Sequence, residues 1–500
     1  MNTVSHFVTR FSSLILWVFS SFDRVIFKGH LPIGWVDEFQ RFVDYKLKVT
    51  RKDYLKRIAP LWSERLVNHA KAMAERLGRQ YEYRAGRVDK DAWAKEQLRQ
   101  SGVTEGLLGV LGVMESCPTF KLAYAKGRPR FVSKRMPQRV LYYYFVDRRL
   151  GLIHVRLQTC APFPCQIYAN GHEFVARELK RKGLKFEQID NAFTMLSDVR
   201  AAQRVADRFA KLPWPKMLER YAKRVNPLLS KELTGLCHYW VVDQAEYATD
   251  VRFADEKVLA VIFQRLLAFA LQTFSPPKIF AYLGRRYHER YDGEVQTHYR
   301  SERTPGACIK HVMKRNWLKM YDKLGLMLRV ETVINQPGEF SVYRECHHRD
   351  GSKSKGWYRM RKGVGNLHHY QSQALACNRR YLDALAAVAD PTPAHDTLKL
   401  LTERRRRHER SYAGFNPCRE DDVRLFAAVL KGDHVARGFQ NRDIRLALNS
   451  QNPAAVGRLL KRLHVRGLIL KIPRTRRWRV SDTRRTMLSD TLQTYRRYVA

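Results

Sequence analysis

The stretch 415–482 constrains the fold most, because its apolar period changes from helical to extended within one short segment. After the turn Gly414-Phe415-Asn416-Pro417, Val423, Phe426, Ala427 and Leu430 share one face of a helix predicted over 421–431. A second helix is predicted from Asn441, a good N-cap, to Leu448. A third begins at Asn452-Pro453, a capping side chain with proline at the first helical position, and runs to about 466. It turns Val456, Leu459, Leu460 and Leu463 inward, and Gly467 ends it. The segments 468–473 and 478–481 then read as strands around the turn Arg474-Thr475-Arg476-Arg477.

Three helices followed by a basic hairpin describe a winged helix-turn-helix, and this order resembles the winged-helix domain of MarR-type transcription regulators. The resemblance implies a duplex as partner. Arg458, Lys461, Arg462 and Arg466 are expected on the outer or flanking faces of the third helix, where a major groove would meet them. Ala454, Ala455 and Gly457 let the backbone approach closely. In the second helix Asn441, Arg442 and Arg445 join that expected interface. The wing residues Arg474, Arg476, Arg477 and Arg479 suit phosphates or a minor groove.

That module is a small part of 500 residues, and the remainder is long enough for further domains with their own cores. The expected class is α+β and multidomain, with mixed sheets, packed helices and the winged helix at the C-terminus. Composition shifts divide the chain into a mostly helical 1–100, an α+β domain over 101–235 and a second with an antiparallel sheet over 236–390. The boundary Asp390-Pro391-Thr392-Pro393 and a basic linker, 391–414, then lead to the module at 415–500. No internal repeat is visible. Ninety-two Lys and Arg against 48 Asp and Glu leave a charge of +44, a field that attracts polyanions and makes their binding salt-dependent. Eight cysteines without a CxxC pair indicate reduced thiols in a cytoplasm. The apolar run 14–19 is too short to span a bilayer and reads as a buried helix or strand.

Strand signals recur. Residues 22–29 read as a strand, 107–114 as one buried on both faces, and 152–159 as an alternating one. The clearest set is 308–313, 317–323 and 326–334. In the last, Met327, Arg329, Glu331 and Val333 face one way and Leu328, Val330, Thr332 and Ile334 the other.

No P-loop, HExxH, GxSxG or GxGxxG occurs. Carboxylates are scarce in so basic a chain, which singles out Asp322 and Glu331 on the 317–334 hairpin and Asp243, Glu246 and Asp250 at the end of a strand. Convergence of Asp243, Asp250 and Glu331 would bind Mg²⁺ or Mn²⁺ and activate a water or tyrosine on a phosphate. The candidate nucleophiles are Tyr247, Tyr321 and Tyr381. The alternative is that each carboxylate pairs with a nearby Arg or Lys. Cys346-His347-His348, and His368-His369 with Cys377, are weaker zinc candidates. His154, Arg156 and Gln158 alternate on one strand face, and Tyr142, Tyr143 and Tyr144 are candidates for base stacking or for core packing.

The hairpin Lys319-Met320-Tyr321-Asp322-Lys323 with Leu328-Arg329-Val330-Glu331 is similar to a stretch of the rolling-circle replication initiators of plasmids and filamentous phages. In those proteins a sheet holds acidic or histidine metal ligands and a tyrosine attacks a DNA phosphodiester. No His-hydrophobic-His pair stands on a strand here, so a histidine metal pair is not carried over. From Phe22-Asp23-Arg24-Val25-Ile26-Phe27-Lys28-Gly29 through Tyr247-Ala248-Thr249-Asp250 to the winged helix, the chain also resembles a group of large basic bacterial proteins with a C-terminal MarR-type domain. The expectation is a DNA-binding mobile-element or replication protein with metal-dependent strand cleavage. Its rivals are a non-enzymatic regulator, whose body senses a ligand or forms a homodimer, and an RNA-binding ribonucleoprotein component.

Overall fold

The alternating segments pair into one mixed sheet of eleven strands. The computed structural model describes the chain apart from residues 1–4, 126–127, 274–275, 286–290, 292–294, 301–306, 387, 389–399, 418, 433, 435–437, 482–483, 486, 490 and 493–500. The expected boundary at Asp390-Pro391-Thr392-Pro393 lies outside the described residues. In chain order the strands are β1 (Ile15–His30), β2 (Gln80–Arg84), β3 (Gly106–Ala125), β4 (Arg128–Asp147), β5 (Gly151–Gln158) and β6 (Cys165–Asn170). A separate hairpin follows, β7 (Phe186–Ile189) with β8 (Ala192–Leu196). The sheet resumes with β9 (Tyr239–Phe253), β10 (Val295–Arg300), β11 (Cys308–Met313), β12 (Asn316–Lys323) and β13 (Met327–Ile334). Their spatial order is β10-β11-β12-β13-β9-β1-β6-β5-β4-β3-β2, antiparallel throughout except for β2 with β3.

The apolar run 14–19 and the strand signal 22–29 fuse into β1, which is flanked by β6 on one edge and β9 on the other. A central strand has two rows of backbone groups to satisfy, and here each α+β block supplies one of them. The blocks 101–235 and 236–390 therefore share a sheet and one large core.

Read outward from the β1–β9 seam, the two sides follow the same order, with β2 as an extra edge strand on the β1 side. Each half has a leading strand (β1 or β9) and a meander whose last strand (β6 or β13) returns to pair with it. The sequence shows no repeat, but the topology does.

Helices Ala59–Arg76, Glu256–Thr273 and Leu367–Leu385 contribute Leu66, Leu266 and Tyr381 to the large core. In the last, Asn378 donates to the Tyr247 carbonyl (3.0 Å) and accepts from Thr332 Oγ1 (2.7 Å), fixing this helix across β9 and β13. The other sheet face has a small core at its β3 end, including Trp93, Leu111, Tyr142 and Tyr144, and is polar towards the middle. No described helix is long and apolar enough to cross a membrane.

Near the C-terminus, helices Glu420–Val429, Asn441–Ala447 and Pro453–Val465 and a hairpin of Ile469–Lys471 with Trp478–Val480 enclose a second core around Phe426, Ile444, Leu460 and Leu463. Gln440 caps the middle helix in place of Asn441, while Asn452 caps the last through the Ala454 and Ala455 amides.

The helix Gly171–Arg181 starts directly after β6, so that its first residue lies on the backbone of β1. A Cβ at Gly171 would stand 2.2 Å from the Phe22 carbonyl oxygen. Gly171→Ala is expected to lower stability by about 2–3 kcal/mol, since a backbone and not a flexible side chain must move. Urea unfolding of the two proteins measures it; equal midpoints would disprove the tight approach.

Candidate functional site

The register of β1 on β9 shifts at three places, and the shift that builds the site lies between Phe22 and Arg24. Phe22 faces Tyr247 and Arg24 faces Glu246, which leaves Asp23 as an extra residue, a β-bulge. Strict alternation would send Asp23 and Arg24 to opposite faces. With the bulge Phe22 packs on Tyr247 (5.1 Å between ring centroids) in the large core, while Arg24 reaches Glu246 and Asp23 reaches Asn191. Period two along β9 places Glu246 and Asp250 together on this polar face, and β13 adds Glu331, paired in register with Ala248. Carboxylate oxygens of Asp23, Glu246 and Glu331 all lie within 4.8 Å of one another, and all three residues are buried. Among the described residues no other trio of His, Cys, Asp or Glu converges in this way.

Each carboxylate has donors of its own. Glu246 accepts from Arg24 (2.5 Å) and Gln244 (3.0 Å), and Glu331 from Lys319 (2.8 Å) and the Tyr321 hydroxyl (2.9 Å). Asp23 accepts from Asn191 Nδ2 at 2.7 Å, and His172 Nδ1 stands 3.5 Å from it. Asn191 comes from the β7–β8 turn, and Asn170, capping the helix that follows β6, sets the backbone of His172 (2.7 Å). Beside the trio, Arg329 grips Asp250 through two bonds, 2.6 and 2.7 Å, and the Asn191 carbonyl at 2.8 Å. Arg329 Nη1 and His172 Nδ1 are buried donors or acceptors without a hydrogen-bond partner among the described residues, both beside Asp23. A bridging water suits that position. Of the cations bonded to the trio, the Arg24 side chain is 42% exposed and that of Lys319 24%.

The surroundings separate the three acids. Burial pushes the Glu246 carboxyl up, the Glu331 charge adds to this, and Lys319 and Arg24 compensate only in part, leaving it at about 7. Burial works against ionisation of Asp23 as well, yet His172, the Arg329 charge and the Asn191 amide hold its carboxyl well below the usual range. Burial and then Glu331 hold the Tyr321 phenol far above its usual range. It stays protonated, a donor to Glu331 and a poor nucleophile.

Of the residues singled out in sequence, Glu331, Glu246 and Tyr321 meet at this site, while Asp250 is next to it and occupied by Arg329. Asp243 lies further along β9, near His30 and Tyr370. Tyr247 faces the large core, and Tyr381 bonds His311 (2.9 Å) beneath the opposite face. Asp322 alternates away from Tyr321 on β12. The zinc candidates do not assemble: Cys377 is in the core, His347 bonds Glu345 (2.9 Å) and His348 bonds Ser354 (2.7 Å). Cys117, Cys160, Cys165, Cys237, Cys346 and Cys377 are free thiols. Tyr143 is in the large core and Tyr142 and Tyr144 are in the small one, so packing accounts for all three.

Two expectations near the C-terminus change. Arg466, 2% exposed, points inward and binds the carbonyls of Glu403 (3.0 Å), Tyr412 (3.2 Å) and Ala413 (2.8 Å). Arg462 binds the Ala413 and Gly414 carbonyls (3.2 and 2.5 Å) and stacks on Phe415. Both clamp the incoming chain instead of lining an outer face. Arg442, Arg458, Lys461, Arg474, Arg476 and Arg479 are exposed; Asn441 donates to the Pro453 carbonyl, Arg477 to that of Gly438, and Arg445 is half-buried.

Asp23, His172 and Asn191 were not singled out as ligands or catalysts. Asp23 carried one usable signal, an adjacent Asp-Arg pair inside an otherwise apolar strand.

Compared with known families, curated proteins and solved structures, the chain finds no matching family model, no matching curated protein and no matching structure.

Arg329 and Asp250 form the most enclosed ion pair of the site. Arg329→Met alone is expected to cost about 3–5 kcal/mol by stranding a buried carboxylate, and adding Asp250→Leu to recover most of it. Denaturation of the two variants measures both steps; an equally unstable double variant would show that the pair has a role beyond mutual neutralisation.

Proposed function

We propose that this is a DNA-binding protein whose sheet carries a divalent-cation site for phosphodiester cleavage, in a replication or mobile-element role. The observation that carries the reading is the convergence of Asp23, Glu246 and Glu331 beneath a rim of Arg24 and Lys319. Three carboxylates form a hard, all-oxygen donor set suited to Mg²⁺ or Mn²⁺. The rim cations suit a phosphate arriving above it. With the Tyr321 phenol held protonated, water would be the better nucleophile, and a cation held by the three carboxylates would supply the acidity that activates it, in contrast to the tyrosine chemistry of rolling-circle initiators.

Cation binding competes with the proton on Glu246. Affinity for Mn²⁺ is therefore expected to rise with pH up to about 7 and level off above it. Without a cation, the Glu246 effect on folding has the opposite sign. Its folded-state value lies above the ordinary 4.5, so stability is greatest below 4.5 and is lost as pH climbs to about 7. Calorimetric titration with Mn²⁺ across this range tests the linkage, and Glu246→Gln is expected to flatten it. Asp23→Asn and Glu331→Gln are expected to abolish Mn²⁺-dependent nicking while leaving DNA affinity within about twofold.

The second reading is a non-enzymatic regulator, favoured by the fact that every carboxylate of the trio already has a polar partner, so that the cluster is a neutralised structural network. DNA binding without Mn²⁺ uptake and without nicking would decide for it.

We read the C-terminal helices and hairpin as a winged helix-turn-helix, with Arg458 and Lys461 on the open side of the last helix as its groove-facing cations. Arg458→Ala with Lys461→Ala is expected to weaken duplex binding and lower the salt slope by about 2. Arg466→Ala is expected to act on stability instead. Unchanged duplex affinity in the double variant would sink the duplex-reader assignment.

A further inference from the structure

After β13 the chain leaves the large sheet for a ribbon of two strands, β14 (Ser341–His347) and β15 (Lys353–Arg359). One face is anchored: Val342 is buried in the large core, with Phe340 and Met360 at the base joined by a backbone bond of 2.8 Å. The other face is open. It presents the cross-strand pairs Ser341 with Arg359, Tyr343 with Trp357, Glu345 with Lys355 and His347 with Lys353. Tyr343 is 59% exposed and Trp357 71%, the latter the most exposed of the described tryptophans. Their rings meet edge to face at 5.9 Å.

Two large aromatic side chains held in water on a rigid ribbon carry a hydrophobic cost, which a partner relieves. The local charge selects the partner. Residues 341–362 hold seven Lys and Arg against two Asp and Glu. Arg359 and Lys355 flank Trp357 two residues away on the same face of β15, and Arg361 is exposed just past the strand. Aromatic faces flanked by cations at strand spacing fit unstacked bases with phosphates alongside them. A duplex hides its base faces and cannot use the rings.

We propose that the β14–β15 ribbon is a docking platform for an unpaired nucleic-acid strand, with Tyr343 and Trp357 stacking on bases and Lys355, Arg359 and Arg361 holding the backbone. This shares with the preceding section the premise that the partner is a nucleic acid, and it does not depend on the cation site. The platform would hold a strand already separated from its complement.

The test uses the full chain, a fluorescein-labelled oligothymidylate 20-mer and a mixed-sequence duplex of the same length, followed by anisotropy at fixed salt. Tyr343→Ala with Trp357→Ala is expected to weaken single-strand binding roughly tenfold or more and leave duplex binding within about twofold. Oligothymidylate is expected to quench tryptophan emission in the native chain, and Trp357→Phe to remove most of that quenching. Unchanged single-strand affinity in the double variant, with the native chain binding, overturns the platform alone. Equal losses for both ligands overturn it as well, since stacking is not then what the rings supply. A change of oligomeric state with nucleic-acid binding intact shows the ribbon to be a contact between protein chains. No binding of either ligand by the native chain removes the nucleic-acid premise itself, and the sheet reading with it.

Discussion

The pairing of β1 with β9 is the constraint on which the rest of the structure depends. It joins two strand meanders into one sheet and places residues more than two hundred positions apart on adjacent strands. A regular ladder here would have kept Asp23 on the core side, where an unpaired carboxylate is prohibitively costly. The bulge resolves this by turning Asp23 to the polar face, and it does so at the one place where β7–β8 and the helix after β6 deliver Asn191 and His172. One irregularity in the ladder thus decides which side of the sheet carries the charges.

Those charges are unequally compensated. Asp250 has two bonds from Arg329, and the environment of Asp23 keeps it ionised. Glu246 has the half-exposed Arg24 and a neutral amide and sits against Glu331, so it absorbs the imbalance by holding a proton up to about 7. In a network meant only to be neutral, a glutamine at that position would avoid the cost. A group that exchanges its proton near neutrality is what the proposed cation site would require.

Much of the architecture is legible in the sequence where one face is buried and the other is not. Period two marks β11, β12 and β13 almost to the residue, and the cap Asn452 marks the helix start at Pro453. The single sheet is not legible, because an apolar strand does not state which strands flank it. The site is half legible. The scarcity of acids points to Glu246 and Glu331, but period two alone groups Asp23 with Phe27 and Val25, and only the bulge separates them. Arg466 illustrates the converse. Helical spacing puts it at the edge of a polar stripe, and nothing local discloses that the segment 403–415 will cross there and supply carbonyls.

The strand order also bears on how many cations the proposed site would hold. A sheet built from two similarly ordered meanders could have repeated its chemistry on both sides of the β1–β9 seam. It does not. In the second half, β13 and β12 bring a cross-strand Glu331–Lys319 pair to the seam. Their counterparts β6 and β5 bring Tyr168 paired with His154, rings stacked at 4.9 Å and 5°. Burial first, and then the neighbouring cations Lys90, Arg156 and Arg24, lower the His154 imidazole to about 4, so this side offers a neutral aromatic surface at pH 7. With carboxylates on one flank and aromatics on the other, the proposed site would have donors for a single cation, with the ring surface beside it. A paired-cation mechanism would need a second acidic cluster on the β6 side, and the residues there are of the wrong chemistry to provide it.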